Sequence, residues 1–149
     1  MSDLFAVAGS KIFIGQAKPS QLTDFTASDF SGQTWVEIDG WETCGAIGDV
    51  AEVISTNLIN RGRTVKQKGT RNAGTMENTF AVIDGDPGQG LLKSAESADD
   101  NYAFKIEWST GEVFFFVALV MTKSRPGGGA NTVQMIAATM EINSNIVEA

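Results

Sequence analysis

Residues 102–121 constrain the fold more than any other stretch of the chain. Tyr102, Phe104, Ile106 and Trp108 alternate with Ala103, Lys105 and Glu107. That period of two places one face of a strand against a core and the other toward solvent. Ser109, Thr110 and Gly111 then supply a short turn. The run at 112–121, Glu-Val-Phe-Phe-Phe-Val-Ala-Leu-Val-Met, is apolar at both parities. Such a strand must be covered on both faces. The core covers one, and a helix of the same chain or a neighbouring subunit is expected to cover the other. The two strands and their turn form a hairpin and commit the chain to a mainly β fold.

Shorter strands are expected at residues 11–14, 34–38, 50–59 and 76–83, with Asp39-Gly40 as a strong turn before Trp41. The last strand, at 132–142, carries Val133, Met135, Ala137 and Thr139 on one face and Ile136, Ala138, Met140 and Ile142 on the other. One helix is expected. Asp86 is a good N-cap, Pro87 suits the first helical position, and Leu91, Leu92, Ala95 and Ala98 make an apolar stripe. Gly88 and Gly90 weaken the first turn, so the helix should settle near Gln89. The 149 residues fit one domain. The expected architecture is a β-sandwich or barrel of about seven strands flanked by one α-helix.

Charge is distributed unevenly. Residues 61–71 hold Arg61, Arg63, Lys66, Lys68 and Arg71 and no acid, whereas the whole chain has 11 Lys+Arg against 18 Asp+Glu. Outside that segment 6 basic residues face 18 acidic ones, so a +5 stretch sits on a −12 remainder. The stretch reads as a long inter-strand loop, residues 60–74, loosened by Gly62, Gly69, Asn72 and Gly74. It could contact nucleic acid, dock on the acidic surface of an identical neighbour, or stay solvated with no partner. The acidic remainder opposes a phosphate backbone and for the same reason favours the neighbour. A second loose loop, 124–131, contains Arg125 and three successive glycines. Ordering it costs about 1–2 kcal/mol of backbone entropy per residue, which a partner's contacts could offset.

Catalytic signatures are lacking. The chain has no histidine, the commonest general base and metal ligand. The single cysteine, Cys44, has no histidine to activate it and reads as a packing residue. Residues 85–90 are rich in glycine but are followed by Leu91 where a phosphate loop needs lysine and a hydroxyl, so helix capping accounts for them. Asp84 and Asp86 lack the later ligands of a calcium loop. The aromatic residues fall mostly at inward strand positions. Neither enzymatic activity, nor a cofactor, nor a metal site is expected. The N-terminal apolar run is too short for a signal peptide. The longest apolar run, 113–121, is far below the ~20 residues of a membrane-spanning helix. A soluble protein without a membrane partner is expected.

From Gly74 onward the order of features resembles the major tail tube protein of lambda-like phages with long non-contractile tails. Ala73-Gly74 with Thr79-Phe80-Ala81-Val82 is similar to that family's strand after its long loop. Pro87-Gly88-Gln89-Gly90 before Leu91-Leu92 is similar to the start of its helix. Tyr102-Ala103-Phe104-Lys105-Ile106 and Thr110-Gly111 before Val113 and Phe115 resemble its central hairpin. The resemblance covers the C-terminal half well, and the first seventy residues only in the spacing of strands and loop. It implies a structural virion protein that assembles into stacked hexameric rings, forming a hollow tube through which DNA passes without specific binding. It implies tape measure and tail tip or terminator proteins as further partners, and a place in the phage tail after assembly in the host cytoplasm. The basic loop would reach an adjacent subunit or ring. An N-terminal arm (1–8, with Leu4 and Phe5) and a C-terminal tail (143–149, with Ile146) would add contacts, as would Arg125. The tube protein of a contractile tail or related injection device is an alternative. So, from another class, is a monomeric β-barrel that binds a small ligand between its aromatic strands.

Overall fold

The computed structural model describes residues 4–19 and 21–149. Its strands are β1 (Lys11–Ala17), β2 (Val36–Glu37), β3 (Trp41–Thr43), β4 (Val50–Thr56), β5 (Val65–Asn72), β6 (Thr75–Ala81), β7 (Tyr102–Glu107), β8 (Val113–Val120), β9 (Met135–Ile142) and β10 (Val147–Glu148). A 3-10 turn, Ala27–Phe30, lies between β1 and β2, and helix α1 (Pro87–Ser97) lies between β6 and β7. Eight strands form one sheet in the order β2-β1-β7-β8-β9-β6-β3, with β10 beside β8. The fold is therefore mainly β with one α-helix among the described residues, as the strand patterning predicts. The described residues form ten strands rather than about seven, because β3, β5 and β10 are too short or too polar to show a period of two.

The sheet curls into a half-barrel, and its connectivity explains why. β2 and β3 lie at opposite edges, yet only Ile38, Asp39 and Gly40 separate them in sequence. Those three residues bridge the seam. Ile38 N–H donates to the Ile12 carbonyl at 2.9 Å, and Ala81 N–H donates to the Gly40 carbonyl at 2.6 Å. Gly40 adopts φ +80°, a left-handed conformation open to glycine at little cost.

Inside the curl, Ile12, Ile14, Met76, Phe80, Phe104, Phe116 and Met140 are fully buried, and α1 adds Leu92 and Ala95. The helix starts at Pro87, earlier than the glycines suggest. Asp86 caps it by accepting from Gln89 N–H at 3.0 Å. Gly88 is there for space, since a Cβ would overlap the Glu37 carbonyl oxygen and lie 2.6 Å from Ile38 Cα. Close approach of helix to strand outweighs the lower helix propensity. The Gln89 side chain then stitches the seam. Its Nε2 donates to the carbonyls of Asp39 (2.9 Å) and Ala81 (2.7 Å), and its Oε1 accepts from Ile83 N–H (3.2 Å).

The second face of β8 is covered in part by irregular chain of the same molecule rather than by a helix. The connection between β1 and β2 folds over it, placing Phe25 and Phe30 against Ala103 and Val117, with Trp35 and Phe115 beside them. Phe30 stacks on Phe115 at 5.2 Å between ring centroids. Asn145 clamps the cover, accepting from Phe25 N–H at 2.7 Å and donating to the Phe25 carbonyl at 3.0 Å. Thr26 N–H donates to the Asp29 carboxylate at 2.8 Å and holds that carboxyl below its usual range.

Candidate functional site

Two features stand apart from this closed core: a detached hairpin, and a cleft between residues 44–47 and the β7–β8 turn. β4 and β5 pair only with each other, from Val50 opposite Asn72 to Thr56 opposite Val65. Half of the expected basic loop is thus a strand. Arg61 and Arg63 sit in the exposed turn, where Arg61 N–H donates to the Leu58 carbonyl at 3.2 Å. Lys66 and Lys68 lie along β5 opposite Ser55 and Val53. Arg71 is at the root, in a depression shared with Asp24 and Asp49. None of the five forms an ion pair among the described residues, where Lys105–Glu107 and Lys123–Glu96 are the pairs found. Val50, Val53, Ile54, Leu58 and Ile59 are exposed on the same hairpin, Ile59 completely. An isolated two-stranded hairpin is marginal in water, and this one leaves aliphatic residues exposed.

The cleft has a volume of about 500 Å³ and is walled by Phe5, Val7, Cys44, Ile47, Trp108 and Phe114. Asn78 positions one wall. Buried in β6, it accepts through Oδ1 from Trp41 Nε1–H (3.2 Å) and from Gly45 N–H (3.0 Å), drawing residues 44–47 onto the strand. The opposite wall is the β7–β8 turn, where Trp108 packs edge-on against Phe114 at 5.5 Å. The Ser109 hydroxyl donates to the Ala6 carbonyl and its N–H to Ser10 Oγ, tying the N-terminal segment alongside. Burial pushes the Cys44 thiol up, so it is no activated nucleophile. Glu112 is the one charged residue in the lining. Glu148, paired with Phe114 across β8 and β10, falls on the same face.

The remaining expected contact residues are scattered. Leu4 and Phe5 are exposed, whereas residues 1–3 of the expected N-terminal arm lie outside the described residues. Arg125 donates to Gln134 Oε1 at 3.4 Å beside the glycine-rich loop. Ile146 is half-buried against the chain's own core, and the following Val147 and Glu148 pair with β8. The expected C-terminal tail therefore folds back as an edge strand. Among the described residues no cluster of three or more acidic or cysteine side chains has a metal-binding arrangement, and no helix is long and apolar enough to cross a membrane. The aromatic strands pack a filled interior rather than a ligand cavity, which disfavours the small-ligand barrel. Sequence reasoning missed Asn78 and Gln89. Asn78 was visible in principle, since it shares the inward parity of Met76 and Phe80.

No family model and no curated protein matches this chain. Solved structures do. A chain of the anti-feeding prophage baseplate, determined with 6-fold symmetry, superposes with TM-score 0.74 at 10% identity, over 100% of this chain and 97% of that one. A chain of the sheath/tube terminator of PVC, an extracellular contractile injection system, gives 0.71 at 10% identity over 99% and 98%. The SPP1 tail tube gives 0.64 at 13% identity over 96% and 78%. At such identities the likeness establishes a shared fold, that of tail tube proteins.

Proposed function

We propose that the chain is a structural tail tube subunit that self-assembles into stacked hexameric rings, forming a hollow conduit for phage DNA, with no catalysis. The observation that carries this reading is the β4–β5 hairpin. It exposes aliphatic side chains and five cations that are unpaired among the described residues, on a protein whose remainder has a net charge of −12. Such a surface is complementary to another copy of the same chain. The fold shared with the SPP1 tail tube and the 6-fold symmetry of the anti-feeding prophage baseplate support the ring. Head-to-tail contacts of this kind close laterally into rings and remain open along an axis. A non-contractile tail, with tape measure, tip and terminator proteins as partners, is the form the sequence resemblance favours. The higher TM-scores with chains of contractile devices support a second reading, the inner tube of such a device. Size-exclusion chromatography and negative-stain microscopy of concentrated protein test the proposal. Tubes or rings are expected, and a monomer persisting at every concentration overturns it. A sheath protein that co-purifies on those tubes would move the assignment to the contractile class.

A further inference from the structure

We infer that the cleft between residues 44–47 and the Trp108 turn is the receptor for the hairpin tip of a second copy of this chain. The inference rests on the tube reading above and names the two surfaces that meet. The tip presents Leu58 and Ile59 at a turn flanked by Arg61 and Arg63, all exposed. The cleft presents an apolar floor of Ile47, Trp108 and Phe114 flanked by Glu112, with Glu148 on the same face. Aliphatic side chains thus meet an apolar hollow while two guanidiniums meet two carboxylates, and no lysine or arginine lines the cleft. A volume of about 500 Å³ is ample for a leucine and an isoleucine side chain together.

A chain cannot fill its own cleft this way. The cleft wall ends at Ile47 and β4 begins at Val50, so the hairpin starts three residues beyond that wall. The strand then runs its full length away, roughly 20 Å at the usual rise per residue, before the tip is reached. The tip thus stands a hairpin's length from its own root. Each copy therefore offers a tip to one neighbour and a cleft to another, which is a heterologous contact that propagates.

Cys44 on the cleft wall allows a direct test, because it is the chain's sole cysteine. Chains carrying Ile59→Cys are doped into an excess of wild-type chains, assembled, and treated with a short bis-maleimide. Covalent pairs are expected on a denaturing gel, and they should be lost when every chain also carries Cys44→Ser. Tubes that form without such pairs, or pairs that survive Cys44→Ser, overturn the inference while leaving the tube reading intact. A wild-type chain that never polymerises overturns the tube reading itself. As a second arm, Ala46→Arg places a bulky cation on the exposed cleft wall. Loss of tube growth with an unchanged monomer Tm is expected, and normal growth counts against the cleft.

Discussion

Two adjacent residues at the start of α1 do work opposite to their reputations. Glycine weakens a helix and glutamine belongs on a surface, yet Gly88 and Gln89 are both buried. Replacing Gly88 by alanine should improve helix propensity by about 1 kcal/mol. The added methyl would meet backbone atoms of Glu37 and Ile38, and a backbone cannot swing aside as a side chain can. Overpacking costs about 1–3 kcal/mol, so sterics outweigh propensity and Gly88→Ala should destabilise the monomer by about 1 kcal/mol net. Urea denaturation measures this as a lower midpoint at unchanged slope, and a stabilised variant would refute the packing argument. Gln89→Leu removes three hydrogen bonds and strands the carbonyls of Asp39 and Ala81 and the N–H of Ile83. The expected loss is about 3 kcal/mol by the same measurement. Since these bonds span the seam of the curled sheet, amide exchange should accelerate at Asp39, Ala81 and Ile83 together.

At the scale of elements, what the sequence disclosed depended on whether hydrophobic period and packing coincided. β7 was located by its alternation, and β8 and β9 by runs apolar at both parities, because each buries most of the side chains on one face. The capping aspartate and the proline located α1. β5 was hidden because Lys66, Gln67, Lys68, Gly69, Thr70 and Arg71 are polar at both parities, and a strand without a core face has no period to read. The cover formed by Phe25 and Phe30 was hidden for another reason. It is irregular chain held by contacts with residues some 120 positions distant, such as Asn145. The cleft was equally illegible, because it joins residues near positions 5, 45 and 110 that only the fold brings together. The hairpin carries its own prediction. Arg61→Glu with Arg63→Glu should leave the monomer Tm unchanged, since both residues are exposed and unpaired among the described residues. The same double variant should fail to elongate in negative-stain images. Tubes of normal length from it would remove the arm's cations from the contact.

For the whole molecule, the segregation of charge and the apolar character of the contact surfaces make opposing demands on ionic strength. If aliphatic burial alone drove association, added salt would leave it unchanged or strengthen it. If opposite charges also steer the encounter between a +5 arm and a −12 body, salt must slow it. The Debye length falls from about 10 Å at 0.1 M to about 3 Å at 1 M, shorter than the reach of an arginine on the hairpin tip to an approaching rim. Because charges act mainly on the association rate while buried apolar contacts set the dissociation rate, the two contributions separate kinetically. Light scattering should show the elongation rate falling on the order of tenfold between low and high salt, whereas tubes already formed should persist after dilution into the same high salt. Prompt dissolution of preformed tubes would mean that ion pairs, and not Leu58 and Ile59, hold the copies together. An elongation rate indifferent to salt would mean that the uneven charge of this chain has no part in how its copies find each other.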